Sequence, residues 1–199
     1  MNPLILFGIL LAAALIFAIV SFLMKSSVYK KGSYAKQVVG KELKKFASVR
    51  KMTVLSDVSV QDGNETARFD HVLIGYFGVL FIQSIQGKGS FYGDGHEKIW
   101  SFSNNESKEK ITFKNPVAEM NEKIEIFRRV LADKKIYNVP VESAIAVIGF
   151  NDEPKLYLSN ISDNENILVE KMIAPFLKKE YFETDNQVDP EAIKALFQK

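Results

Sequence analysis

The sequence predicts a mixed α/β domain that follows a single transmembrane helix. Residues Pro3 to Met24 carry no charge, and Ser21 is their only hydroxyl residue. Beyond them, two apolar runs of strand length flank the Gly75–Gly78 turn, and segments with helical apolar spacing lie on either side of these strands. A mixed sheet with helices packed against it is the natural way to bury all of these apolar faces.

The apolar amino-terminal segment is long enough to cross a bilayer. As a helix it would reach about 33 Å at about 1.5 Å per residue, against a hydrocarbon core of about 30 Å. A cleaved signal peptide is the alternative, but such a peptide begins with basic residues, and none precedes this segment. The lysines that follow the span predict a single-pass protein of the cell membrane, with its amino terminus outside and its domain in the cytoplasm.

Basic charge is concentrated beside the predicted anchor. Residues 25–51 contain nine Lys/Arg and one Glu, whereas the remainder contains 17 Lys/Arg and 23 Asp/Glu. We therefore expect a basic juxtamembrane connector over residues 25–36 that contacts anionic lipid. The expected lipid contacts are Lys25, Lys30, Lys31 and Lys36. Composition indicates no basic face on the domain itself, which favours protein partners over nucleic acid.

Residue types also exclude some classes of protein. The chain has no cysteine and two histidines, which excludes a disulfide scaffold and a multi-histidine zinc centre. Residues 37–199 are predicted to form one domain, with a core to about residue 150 and an α/β extension over 151–199.

The predicted elements alternate between the two types. Helices are expected over residues 33–47, 116–132 and 167–179 and after Asp189-Pro190, where an N-cap residue precedes proline. Strands are expected over residues 53–60, 68–74, 79–85, 90–92, 99–102, 111–113, 141–150 and 155–158. The nearly continuous apolar run of 141–150 indicates a strand that is buried on both faces.

Asp70 is the first candidate functional residue. It lies within the apolar run Phe69–Ile74, where an unpartnered carboxylate would be costly to bury. On the next strand, Gln83 and Ile85 should point to one side and Ser84 to the other, because side chains alternate along a strand. His71 and Trp100 are interpreted as core residues, with His71 on the same side as Phe69 and Leu73 and opposite to Asp70.

Several segments together resemble the nuclease-related domain (NERD) family of the restriction-endonuclease-like superfamily. They are Gly40-Lys41-Glu42, Asp57-Val58, Phe69-Asp70-His71-Val72, Gly78-Val79-Leu80-Phe81-Ile82, the Gly89, Gly93 and Trp100 segment, and Asn115-Pro116. The resemblance covers about residues 32–150. It implies a restriction-endonuclease-like mixed sheet flanked by helices.

The resemblance also implies a site. Active members of the superfamily bind Mg²⁺ through an Asp and a Glu, and a Lys two residues after the Glu assists the attacking water. Here Glu42 and Asp70 are retained, but Gln83 replaces the Glu and Ile85 replaces the Lys. The resemblance therefore implies a degenerate catalytic and metal site of Glu42, Asp70 and Gln83 that binds Mg²⁺ weakly. A further departure is Glu119, which stands where the family has Gln.

Three functions remain open at this stage. The favoured one is a membrane-anchored module that binds protein or nucleic acid and does not cleave it. The second is an active Mg²⁺-dependent nuclease that uses Asp70 and a lysine from elsewhere in the chain. The candidates for that lysine are Lys41, Lys44, Lys45 and Lys88. The third is an assembly subunit of a bacterial defence complex.

Overall fold

The computed structural model describes residues 33–104, 110–150 and 152–198. The predicted anchor and most of the basic connector lie outside these residues. Within the described residues, no helix is both long and apolar enough to span a membrane.

The chain begins with helix α1 (Ser33–Ala47), which has the bounds that the apolar spacing predicts. Three antiparallel strands follow, joined by two-residue turns: β1 (Thr53–Asp62), β2 (Glu65–Gly75) and β3 (Gly78–Gln86). The Gly63-Asn64 turn fixes the first register by pairing Asp62 with Glu65. The predicted meander is confirmed, with strands one to three residues longer at their ends.

The second half of the domain completes this sheet. Helix α2 (Pro116–Asp133) precedes the buried strand β7 (Val141–Ile148), which pairs in parallel with β3, and strand β9 (Asn166–Val169) pairs in parallel with β7. The order in the first sheet is β1-β2-β3-β7-β9. Helices α3 (Glu170–Leu177) and α4 (Pro190–Lys194) follow, with a short 3₁₀ helix (Glu180–Glu183) between them.

Helices cover both faces of the first sheet. Helices α1 and α3 share an apolar cluster with one face, and α2 and α4 share a second cluster with the other. The last five residues of β7, Ala144–Ile148, are all buried between these layers. The prediction of a strand covered on both faces is therefore confirmed.

A second sheet was not foreseen in the sequence. It consists of β4 (Gly89–Asp94), β5 (Ile99–Asn104), β6 (Lys110–Lys114) and β8 (Lys155–Ser159), in the order β6-β5-β4-β8. Its inner face contributes Phe91 and Trp100 to the cluster beneath α2. Gly93 makes room for the indole, because a Cβ there would lie 2.4 Å from Trp100. The expectation that Trp100 is a core residue is thus confirmed.

One predicted element has the wrong type. Residues 167–169, expected to begin a helix, belong to strand β9 because they fill the free edge of β7. Pairing with a buried parallel strand outweighs the local helical spacing, and the helix begins at Glu170 instead. The last helix begins as predicted, where Asp189 accepts hydrogen bonds from the backbone N–H groups of Glu191 and Ala192.

Candidate functional site

The alternation of side chains along β2 is broken at Asp70. Leu73 and Ile82 belong to the cluster beneath α1, and the His71 ring lies on the same side, 3.1 Å from where a Cβ on Gly40 would be. Phe69, however, belongs to the opposite cluster beneath α2. The prediction that His71 shares a face with Phe69 is therefore wrong, because regular alternation does not continue through Asp70.

Strand β1 has a matching irregularity at Asp57. The hydroxyl of Ser56 contacts Nδ1 of His71 at 2.9 Å, whereas Val58 lies in the cluster beneath α2. Between them Asp57 adopts a positive φ of 51°, a conformation that Asp tolerates better than most residues. The flanking pairs, Ser56 with His71 and Val58 with Phe69, place Asp57 opposite Asp70.

These two carboxylates bind one ammonium group. Nζ of Lys36, in the first turn of α1, lies 2.5 Å from Oδ1 of Asp57 and 2.8 Å from Oδ1 of Asp70. The other oxygen of Asp70 accepts a hydrogen bond of 2.8 Å from the backbone N–H of Ser84. The Asp70 side chain is 11% exposed, so both of its oxygens are satisfied in a nearly dry environment.

The charges in this group hold the lysine in its protonated form. Burial lowers the pKa of Lys36, but the hydrogen bonds and charges of Asp57 and Asp70 together outweigh it and raise the pKa above its ordinary value. The sequence predicts lipid contact for Lys36, and this stays a prediction. In the structure its side chain is 36% exposed and its ammonium group pairs with Asp57 and Asp70.

Gln83 lies on the face of β3 that is directed towards α2, opposite to the face covered by α1. Its Oε1 accepts a hydrogen bond of 3.2 Å from Nζ of Lys123, which also forms a 2.6 Å ion pair with Glu119. Ile85 lines the same cleft of about 420 Å³ as Gln83 and Glu119, so these strand residues share a face as expected. When the pairing of His71 with Ile82 is extended by one residue on each strand, Gln83 lies level with Asp70.

Glu42 is not part of this arrangement. It lines a groove between α1 and α3 together with Lys45, Phe46 and Leu177, about 1.7 helical turns beyond Lys36. Lys88, one of the lysines considered as a replacement, pairs with Asp152 at 3.3 Å. Among the described residues, the cations that contact Asp70 and Gln83 are Lys36 and Lys123, and neither is one of the lysines that the sequence suggests as a replacement.

His71 is a buried residue at the back of the site. Its side of the sheet is closed by α1, and among the described residues Nε2 has no hydrogen-bond partner. Burial lowers the pKa of His71, against the opposing charges of Asp70 and Asp57, which raise it. This histidine is thus stabilised in its neutral form.

Asn115 fixes the start of α2. It is buried, it caps α2 by accepting from the N–H of Val117, and its amide nitrogen donates to the carbonyl oxygen of Glu97 at 2.9 Å. The backbone of Asp94 receives the indole N–H of Trp100 at 3.0 Å. These bonds fix α2 against the second sheet, and so they position Glu119 and Lys123.

The residues present do not fit a divalent metal in the arrangement described. Mg²⁺ requires several oxygen ligands in octahedral geometry, and the oxygens that face one another at this site already bind the Lys36 ammonium. Within residues 33–104, 110–150 and 152–198, no group of three His, Cys, Asp or Glu side chains is arranged to hold a metal ion.

Comparison with known families now decides the ancestry of this site. The model of the nuclease-related domain matches residues 31–148, more than half of the chain. The chain belongs to the nuclease-related domain family. The matched range runs from α1 to the end of β7 and contains every residue of the Lys36 and Lys123 groups. No curated protein and no solved structure matches the chain.

Three of the residues that the structure adds to the site left a signal in the sequence. A two-residue turn at Gly63-Asn64 places Asp57 opposite Asp70, so a second carboxylate was predictable from turn length alone. Glu119 and Lys123 are four residues apart, a spacing that brings charges together on a helix. Nothing in the sequence indicates that Lys36 turns inward to Asp70.

Proposed function

We propose that this NERD-family protein is a membrane-held binding module whose nuclease-derived site no longer cleaves. The observation that supports the proposal is the Lys36 ammonium, which sits between the carboxylates of Asp57 and Asp70. A protein cation there offsets part of the negative charge that would otherwise attract Mg²⁺.

Other groups that metal-dependent cleavage needs are also replaced in this chain. Metal-dependent hydrolysis needs carboxylates that hold the ion, a metal that lowers the pKa of bound water, and a cation for the developing charge. Gln83 supplies a neutral amide, and its oxygen is engaged by Lys123. Ile85 cannot stabilise charge, and it lies on the same face as Gln83.

Membrane attachment is part of the same proposal. The uncharged segment Pro3–Met24 and the lysines that follow it support one span with the domain in the cytoplasm. A reporter fused after Lys199 should then give a cytoplasmic signal, and a periplasmic or extracellular signal would overturn the topology.

Cleavage assays test whether the nuclease-derived site is inactive. The full chain in detergent, incubated with Mg²⁺ or Mn²⁺ and either plasmid or single-stranded DNA, should leave both substrates intact. The double variant Gln83→Glu/Ile85→Lys, combined with Lys36→Met, removes the ammonium group and restores the family pattern. Metal-dependent nicking by this variant would support the ancestry of the site, provided that circular dichroism shows it is folded.

An active nuclease is the second candidate function. It is favoured by the ion pair of Glu119 and Lys123 on α2. Glu119 brings a carboxylate and Lys123 brings an ammonium group to Gln83, the two charges that β3 has lost. Under this alternative the unmodified chain cleaves DNA, and both Asp70→Ala and Lys123→Met abolish cleavage. Cleavage that survives Asp70→Ala would indicate a contaminating nuclease.

A further inference from the structure

The second sheet has an outer face that no described helix covers. Strand register aligns its side chains in rows: Thr112, Ser101, Tyr92 and Tyr157 form the middle row. Lys110 and Lys155 end a neighbouring row, and Lys114 lies beside Ile99 in the third. We call this surface the lysine–tyrosine face, defined by Tyr92, Tyr157, Ser101, Lys110, Lys114 and Lys155.

The two tyrosines form an exposed aromatic platform. Their ring centroids are 5.0 Å apart with an interplanar angle of 9°, and Tyr92 and Tyr157 are 44% and 54% exposed. On the other side of Tyr92 the neighbouring residue is Ser101, whose short side chain leaves the ring accessible. Exposed aromatic rings on a sheet are the platform on which unpaired bases stack.

The surrounding charge is positive. Lys110 and Lys114 lie on one outer strand and Lys155 on the other, and within the described residues none of the three forms an ion pair. Among the described residues of this face, Asp94 is acidic and keeps its negative charge, and its carboxylate accepts hydrogen bonds from Ser159 and Asn160 at 2.7 and 2.6 Å. The hydrogen bond from Ser159 is the main reason why the pKa of Asp94 lies below its usual range.

This charge contrasts with the rest of the domain. From residue 52 onward the chain has more acidic than basic residues, 23 against 17. Three lysines on one face of an acidic body therefore give the domain a localised site for phosphates. Overall composition could not reveal it, because the face draws its lysines from two distant parts of the sequence.

We infer that the lysine–tyrosine face binds single-stranded nucleic acid, with bases stacked on Tyr92 and Tyr157 and phosphates held by the lysines. A duplex fits less well, because its bases are already stacked and a flat sheet face does not enter the major groove. A lipid surface would use the same side chains, because tyrosine rings favour membrane interfaces, and vesicle binding that Lys110→Ala/Lys155→Ala weakens would assign the face to lipid instead. The inference rests on the proposed binding function, since it names the partner of that module.

Fluorescence anisotropy tests the inference. The probes are a labelled thymidine oligonucleotide of about 20 residues, longer than the site of one binding domain, and a duplex of equal length. The full chain is titrated in detergent with EDTA, so that cleavage cannot interfere. Tyr92→Ala/Tyr157→Ala should weaken single-strand binding by about 30-fold or more, because both stacking rings are removed. Tyr92→Phe/Tyr157→Phe should retain it, and Tyr137→Ala is the control at an exposed tyrosine elsewhere.

Salt dependence tests the lysines separately. Lys110→Ala/Lys155→Ala should reduce the slope of log affinity against log salt by about 1.4, about 0.7 for each phosphate contact. The matched control is Lys134→Ala/Lys178→Ala, which removes two exposed lysines outside the face. Thermal melting of each variant shows that it is folded.

The outcomes separate this inference from the proposed function. Three outcomes would contradict the nucleic-acid inference: equal binding by the parent and the tyrosine-to-alanine variant, equal affinity for duplex, or no binding by the parent. None of them bears on the proposal that the nuclease-derived site is inactive. DNA cleavage by the parent with Mg²⁺ would show that the nuclease-derived site is active. The tyrosine variants, measured in EDTA, would still test whether the lysine–tyrosine face binds single strands.

Discussion

The two sheets of this domain handle polar residues in opposite ways. In the first sheet, the buried carboxylate of Asp70 is satisfied by the Lys36 ammonium and by the backbone N–H of Ser84. In the second sheet, one face is core and the other exposes tyrosines and lysines that have few partners within the domain. A carboxylate with every oxygen occupied maintains structure, whereas an exposed ring or ammonium group remains available to a ligand.

Removing aromatic rings should separate the two sheets most clearly. Phe81 in the first sheet is fully buried, 4.0 Å from Phe69 between ring centroids and 5.0 Å from Phe127. Phe81→Ala should lower the free energy of unfolding by about 3–5 kcal/mol, because it leaves a cavity. Tyr92→Ala in the second sheet should cost less than about 1 kcal/mol. Urea denaturation measures both, and similar losses would contradict the comparison.

The next largest effect should come from the Lys36 group. Asp70→Asn removes a charge from a carboxylate that is 11% exposed, and should cost about 2 kcal/mol because hydrogen bonds to charged groups are lost. Asp57→Asn is the matched control: it keeps a residue type that tolerates the positive φ, and its side chain is 68% exposed. It should cost less than about 1 kcal/mol. A larger loss for Asp57→Asn would show that the buried carboxylate is not the anchor of the group.

His71 should make stability depend on pH. Because burial lowers its pKa in the folded state, the unfolded chain binds a proton first as pH falls below about 6.5. Stability should therefore decrease as pH falls from there to the folded-state pKa, by at most about 1.4 kcal/mol per pH unit. The difference in urea midpoint between the parent and His71→Gln should shrink at low pH. A constant difference from pH 7.5 to 5 would show that His71 does not titrate in this way.

Much of the fold could be predicted from local pattern, and the exceptions share one cause. Helix α1 and the Gly75–Gly78 hairpin follow from apolar spacing and turn residues, which act over a few positions. Strand β9 and the break in alternation at Asp70 depend instead on partners distant in sequence: the free edge of β7 and the Lys36 ammonium that binds Asp57 and Asp70. Spacing alone does not report such partners.

The candidate site was predictable to a similar extent. Asp70, Gln83 and Ile85 were recognised because the family pattern is contiguous within two neighbouring strands. Glu42 was expected beside them, yet it lies in the groove towards α3, because its position on α1 faces away from Lys36. Lys36 itself was assigned to the membrane, since a lysine near an apolar segment has the same sequence signature whether it turns outward or inward.

That ambiguity leads to the smallest expected effect, on lipid binding. The basic connector should bind anionic vesicles, and each lysine near the surface should contribute about 1 kcal/mol. Lys30→Ala/Lys31→Ala, in the chain lacking residues 1–24, should therefore weaken binding to anionic vesicles at low salt. Lys36→Ala should change it little, because two carboxylates already hold that ammonium group.

Vesicle sedimentation over a series of salt concentrations measures this difference. Binding should fall as salt rises, since exposed charges are screened over about 8 Å at physiological ionic strength. Lys110→Ala/Lys155→Ala should leave vesicle binding unchanged if the lysine–tyrosine face is reserved for nucleic acid. If Lys36→Ala weakens vesicle binding as much as the connector variant does, its ammonium group faces the membrane and the Asp57–Asp70 pair is not permanently filled. Equal binding of the parent to neutral vesicles would instead exclude an electrostatic contact by the connector.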